Sequence, residues 1–280
     1  MQVTVLVDNI PGNSTQQLCN EHGLSLFIEH NGVKVLCDMG ATELFAGNAR
    51  ELGIDFSAVD FAFLSHGHND HSGGLLAIPN ITDRPVYMHS NVAEYGFFSS
   101  RRGEKRDIGT DRNVLNCLGK QIIYLDGSYE LVPGIFAVQC REGNHARPYG
   151  NRFLTKSNGA TEQPDDFVHE LSLAFVTPCG LVIVSPCSHC GALNIIEAAI
   201  KVTGCNRVAA FIGGLHFVES EVCMDEASGF AKEMNRLFPD TIVYTGHCTC
   251  DKAKRVLEKE LKRVRFFNTG SVIEVTEHGK

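Results

Sequence analysis

The 280-residue chain is 43% hydrophobic and 21% charged, the balance of an ordinary globular protein and not of a disordered or fibrous one. Its 25 Lys and Arg against 33 Asp and Glu leave a formal charge of −8, which argues against general nucleic-acid binding, where cations meet phosphate. No apolar run approaches the ~20 residues that span a bilayer. The start, Met1-Gln2-Val3-Thr4-Val5-Leu6-Val7-Asp8, reads as a strand and not as a signal peptide, so a cytoplasmic location is expected, with no membrane and no nucleic-acid partner.

In chain order, Leu24–Ile28 and Val33–Cys37 flank Asn31-Gly32, a hairpin signal. Thr42 to Leu52 has helical spacing ended by Gly53, and Phe61–Leu64 is a short buried strand. From about 99 to 163 the pattern blurs, apart from strands at Gln121–Leu125 and Gly134–Gln139, and reads as an insertion or lid region within one domain over 1–280. Periodicity returns with strands at Leu171–Thr177 and Leu181–Val184, a helix over Asn194–Val202 and a strand at Val208–Ile212. A helix near Asp225–Leu237, a strand at Thr241–Tyr244, a helix over Asp251–Val264 and a strand at Ser271–Val275 complete the chain. Two stretches of strands and helices around a middle insertion suggest sheets sandwiched between helices.

Eleven cysteines in a chain of this length do not describe a disulfide scaffold, and they are expected as thiols, metal ligands or core fillers. Cys187 and Cys190 form a CxxC and Cys248 and Cys250 a CxC, which could act as redox pairs or supply four thiolates to a structural zinc.

The strand Phe61–Leu64 runs directly into Ser65-His66-Gly67-His68-Asn69-Asp70-His71-Ser72-Gly73-Gly74. A turn leaving a strand can project alternate side chains toward one point. Imidazole suits zinc and iron, and an adjacent carboxylate suits a second, harder position. Four such donors within six positions point to metal binding; the alternative is a His-rich surface turn.

On these residues the chain resembles the metallo-β-lactamase superfamily, whose signature is the HxHxDH loop. Glu21-His22-Gly23-Leu24-Ser25, Cys37-Asp38-Met39-Gly40, Cys187-Ser188-His189, Gly213-Gly214-Leu215-His216 and Thr245-Gly246-His247-Cys248-Thr249 occur in order around it. Together they resemble the branch of dihydropterin ribofuranosyl-aminobenzene 5′-phosphate synthase-like proteins. The resemblance implies an α/β fold, an αββα four-layer sandwich, with one or two divalent metal ions, zinc first and iron or manganese as alternatives. It implies that His66 and His68 hold one ion with a later histidine, and that Asp70 and His71 hold another with a histidine near the C-terminus. His189 and His247 fit these roles because each follows a buried strand.

Many superfamily hydrolases place a bridging Asp after the later strand, where this chain reads Ser185-Pro186-Cys187-Ser188-His189. Cys187 is therefore a soft ligand, a bystander, or the occupant of a place where water bridges. His169 competes with His189 as third ligand. Asp38 reads as a carboxylate orienting a ligand imidazole or as a helix N-cap. Asp70 and His216 are the catalytic candidates, and His216 is expected to contact substrate or assist proton transfer, or to be structural. Glu21 and His22 are expected on a solvated turn. Arg101 and Arg102 suit a phosphate or carboxylate, although acidic neighbours allow a solvated loop. The expected activity is hydrolysis of a small anionic, phosphorylated molecule by metal-activated water. A transferase-like condensation of a pterin with a ribosyl-aminobenzene phosphate and a non-enzymatic metal or redox sensor are the rival readings, and the oligomeric state stays open.

Overall fold

In a computed structural model of the chain, which describes residues 1–12 and 17–276, β1 (Gln2–Val7) pairs antiparallel with β2 (Ser25–His30). Asn31 and Gly32 then take φ angles of 50° and 81°, the positive values that let a two-residue turn follow strand twist, and lead into β3 (Val33–Cys37). The described residues fall into two units with interleaved segments: Met1–Asp126, Phe153–His169 and Asn268–Glu274 form the first, and Gly127–Arg152, Glu170–Phe267 and the residues after Glu274 the second.

The first unit is built on a seven-stranded sheet of order β18-β1-β2-β3-β4-β5-β8, with β4 at Phe61–Phe63, β5 at Val86–His89, β8 at Ile122–Leu125 and β18 at Val272–Glu274. β3, β4, β5 and β8 run parallel. The connections carry α1 (Leu44–Glu51), α2 (Asn69–Ser72), α3 (Ile78–Ile81), α4 (Asn91–Glu94) and α5 (Arg112–Leu118). Phe27 and Leu36 of the sheet, Phe45 of α1, Phe56, and Leu115 of α5 share one core. Each such side chain fully withdrawn from water contributes about 1.5–3 kcal/mol. Part of the blurred stretch forms a four-stranded sheet of order β12-β11-β6-β7: β6 is Gly96–Ser99, β7 Arg106–Asp107, β11 Leu154–Ser157 and β12 Glu162–Pro164.

The second unit has a seven-stranded sheet of order β17-β16-β15-β14-β13-β10-β9. Its strands are β9 (Tyr129–Val132), β10 (Ile135–Gln139), β13 (Leu171–Thr177), β14 (Gly180–Val184), β15 (Val208–Ile212), β16 (Ile242–Thr245) and β17 (Val264–Phe266). β14 through β17 are parallel, which explains why Leu181-Val182-Ile183-Val184 is an unbroken apolar run: all four are fully buried. Three helices connect these strands: α6 (Ala192–Thr203), α7 (Cys223–Leu237) and α8 (Asp251–Glu260). On α7, Cys223, Ala227, Phe230, Ala231 and Met234 are buried, the inward stripe of an amphipathic helix. The last helix is shorter than its spacing predicts. Leu261 leaves it in an extended conformation, and Val264 joins β17 beside Val243, so sheet pairing overrides helix propensity there.

Candidate metal centre

In the first unit, the HxHxDH segment leaves the end of β4 and winds into α2. His66, His68 and His71 converge, with ring centroids 4.5 Å apart for His66–His68 and 4.3 Å for His66–His71. The glycine between the first two is required: a Cβ on Gly67 would lie 2.4 Å from the Phe97 ring. Asp70 Oδ2 lies 3.8 Å from His71 Nε2 and 3.4 Å from His22 Nε2.

Asp38 organises this cluster. It follows β3 with a φ of 57°, a left-handed conformation uncommon for a residue with a side chain. Its backbone N–H donates to Phe63 O, and Ser25 Oγ donates to its carbonyl. The carboxylate accepts from Ser65 N and Ser65 Oγ at 2.7 Å each, and from His71 Nδ1 at 2.6 Å. His71 therefore carries its proton on Nδ1, and Nε2 holds the lone pair. Because Ser65 gives its hydroxyl proton to Asp38, the same oxygen accepts from His66 Nδ1 at 2.7 Å, which fixes that ring in the same tautomer. One buried carboxylate thus sets two imidazoles in the tautomer whose Nε2 can ligate. α1 begins at Leu44 after Glu43, so Asp38 is not its N-cap.

His68 is kept neutral. Burial, then the neighbouring His169, push its pKa from the usual 6.5 down to about 3, against the pull of Asp70 and Asp165. His169 has both ring nitrogens committed. Nδ1 accepts from Gly67 N at 3.1 Å, so Nε2 carries the proton, facing Asp165 Oδ2 at 3.1 Å. Burial opposes ionisation of Asp165, yet the hydrogen bonds from His169 Nε2 and Phe167 N hold its carboxyl below the usual range. In this arrangement both ring nitrogens of His169 are engaged and brace the loop at Gly67, while His68, Asp165 and His169 also bring one donor atom each within 4.8 Å of the others.

The β6–β7 hairpin is joined to the same loop. His68 bridges to Gly109, Asn69 N donates to Ile108 O at 2.7 Å, and Thr110 N donates to Gly67 O at 3.0 Å. Arg101 and Arg102 are exposed at the hairpin's turn. Lys105 bonds Glu162 and lies over the Phe98 ring. Glu21 is not a freely solvated turn residue: its carboxylate accepts from Ala41 N, Thr42 N and Thr42 Oγ, and its neighbour His22 faces Asp70.

In the second unit, donors gather at the ends of three adjacent parallel strands. β14 leads to Cys187 and His189, β15 to His216, and β16 to His247 and Cys248. Ser188, His216 and His247 have φ values of 62°, 51° and 47°, so each loop stores backbone strain at the site. The His189 ring is oriented by Asn151, whose Nδ2 donates to His189 O at 2.7 Å while Oδ1 faces Nδ1 at 3.1 Å. Nε2 is then the nitrogen that can ligate. Glu170, buried, accepts from His189 N at 2.6 Å and Cys190 N at 2.7 Å. His216 packs against His189 with ring centroids 4.1 Å apart.

The cysteine pairs do not gather into a four-thiolate site. Cys187 lies with His216 and Cys248, the Cys190 thiol bonds to Cys140, and Cys250 to Cys223. Burial opposes ionisation of Cys248, but its hydrogen bonds to Cys187 and His216 and the charge of His247 outweigh it, and the thiol ionises well below its ordinary range. Among the described residues, no helix is long and apolar enough to cross a membrane.

Sequence reading assigned no role to Ser65, Asn151, Asp165 or Glu170. Asn151 and Glu170 reach His189 across 38 and 19 residues, whereas Ser65 adjoins His66 and Asp165 lies four residues before His169.

A family model described as metallo-beta-lactamase superfamily matches residues 21–180. The 7,8-dihydropterin-6-methyl-4-(beta-D-ribofuranosyl)-aminobenzene-5'-phosphate synthase of Methanocaldococcus jannaschii is 32% identical over 257 residues, 87% of this chain and 86% of that protein. A crystal structure of a metal-dependent hydrolase of the beta-lactamase superfamily matches with a TM-score of 0.84 and 27% identity over 99% of both chains. A diphosphatase of the PhnP family matches with a TM-score of 0.53 and 16% identity over 98% of both chains, a likeness of fold. The α/β fold expected from the sequence is the one these structures share.

Proposed function

Because the chain belongs to the metallo-β-lactamase superfamily, we propose that it is a metal-dependent hydrolase of small anionic, phosphorylated substrates, with ions held by His66, His68, Asp70, His71, His189 and His247. The observation that carries the reading is the Asp38 anchor, which presets His71 directly and His66 through Ser65. An imidazole and carboxylate donor set suits zinc, iron or manganese. When bound, such an ion supplies Lewis-acid polarisation and activation of water near neutral pH.

The chain's own residues supply the rest. Asn151 aims His189, and burial keeps His68 a neutral ligand. Asp70, beside His71 and His22, both ligates and accepts a proton from the attacking water. Arg101 and Arg102 meet the anionic group of the substrate from the hairpin turn.

A second reading is favoured by the 32% identity to the M. jannaschii synthase: condensation of a pterin with a ribofuranosyl-aminobenzene phosphate. Protein loaded separately with zinc, iron and manganese distinguishes the two when assayed on phosphoesters and on a pterin diphosphate with that acceptor. Phosphoester turnover lost in His68→Ala supports hydrolysis. A joined product without phosphoester turnover assigns the second reading, and no turnover of either kind with any ion removes both.

A further inference from the structure

We propose that Cys187, His216 and Cys248 form a binding site for a thiophilic cation such as zinc, with two sulfurs and one imidazole as its donors. One donor atom from each of the three lies within 4.8 Å of the others. In a tetrahedral zinc site, sulfur–sulfur and sulfur–nitrogen separations are roughly 3.6–3.8 Å, so small side-chain shifts bring the trio into range. Two thiolates and an imidazole are the soft-to-borderline donors that select zinc or copper(I) over magnesium or calcium. Three protein donors leave the fourth position open to water or a ligand.

The surroundings hold these donors together. Cys187, His216 and Cys248 sit on the loops leaving β14, β15 and β16, neighbours in one parallel sheet. Gly214 N donates to Pro186 O at 2.8 Å, and Leu215 N donates to Thr249 Oγ1 at 3.1 Å, tying all three loops. His216 N donates to Cys248 Sγ at 3.2 Å, the kind of backbone contact that stabilises a metal thiolate. Only glycine fits beside that sulfur, since a Cβ on Gly214 would lie 2.4 Å from Cys248 Sγ. His216 Nδ1 is buried and has no hydrogen-bond partner among the described residues. Cys248 is partly exposed, which gives an ion its way in.

The partition of the other cysteines makes the proposal specific. Cys190 and Cys250 stand beside these residues in sequence, yet their sulfurs face Cys140 and Cys223. Only one cysteine of the CxxC and one of the CxC belong to the site.

Cadmium tests this directly, because sulfur-to-cadmium charge transfer absorbs in the ultraviolet and imidazole or carboxylate ligands give no such band. The full-length protein, held under a thiol-free reductant, is titrated with cadmium. The expected result is a band saturating at two thiolates per chain, halved in Cys187→Ser and in Cys248→Ser. His216→Ala should weaken the affinity about tenfold or more, and Cys190→Ser and Cys250→Ser should leave the band unchanged. Circular dichroism confirms that each variant is folded. No band in the native protein, or a band that Cys248→Ser leaves intact, overturns the proposal. The histidine and aspartate set contains no sulfur, so failure here leaves the proposed hydrolase centre standing.

Discussion

Asp38 Oδ2 lies 2.6 Å from His71 Nδ1, and the same oxygen accepts the Ser65 hydroxyl that serves His66. The resemblance assigns these two histidines to different ions, so a single carboxylate supports both halves of the proposed centre.

Asp38→Asn retains the shape but removes the charge, and its single oxygen can no longer accept from Ser65 N, Ser65 Oγ and His71 Nδ1 together. Metal affinity should fall about 10–100-fold, the usual cost of losing such a partner. Competition with a chromophoric chelator measures it. Unchanged affinity would show that the tautomers are set some other way.

His169 and His189 differ in what they can give a metal. His189→Ala should lower bound metal by up to one ion per chain, as read by elemental analysis. His169→Ala should keep the stoichiometry while loosening the loop at Gly67. The reverse pattern would move the third ligand to His169.

Asp165 predicts a change in acid stability. Its folded carboxyl titrates below the usual 3.8 because His169 outweighs burial. Between the two pKa values the unfolded chain binds the extra proton, so this contribution is complete above about pH 4 and disappears as pH falls through the folded value. Denaturant midpoints of metal-free protein should drop more steeply below about pH 4 in the wild type than in Asp165→Asn. Parallel curves would remove the assignment.

If Arg101 and Arg102 meet the substrate's anionic group, replacing both with Glu should raise KM for anionic substrates more than it lowers kcat. Metal content should not change, since no proposed ligand is touched. An unaltered KM returns the two arginines to a solvated turn.

Much of this arrangement is legible in the sequence because strand ends and motif residues are local. The apolar runs at 181–184 and 208–212 and the loops after them are visible as patterns, and their histidines lie where parallel strands place functional groups. What supports those histidines is not local. Asn151 reaches His189 across 38 residues and Glu170 reaches it across 19, through separations that carry no periodic signal. Cysteine spacing misleads for the same reason: Cys187 and Cys190 leave their loop in different directions, and the sheet decides which sulfurs meet. The strands at 96–99 and 154–157 are short and gain their order from pairing with each other.

The hairpin carrying the arginines has unequal freedom at its two ends. At the turn, a side chain on Gly103 would meet open space, so only the glycine's φ of 87° resists replacement, and length can change without touching the sheet. At the base, Ile108, Gly109 and Thr110 are bonded to Gly67, His68 and Asn69, and a single inserted residue would shift His68. If Arg101 and Arg102 meet the substrate as proposed, its range can drift by remodelling the tip, generation after generation, while the histidine loop stays fixed at the other end of the same two strands.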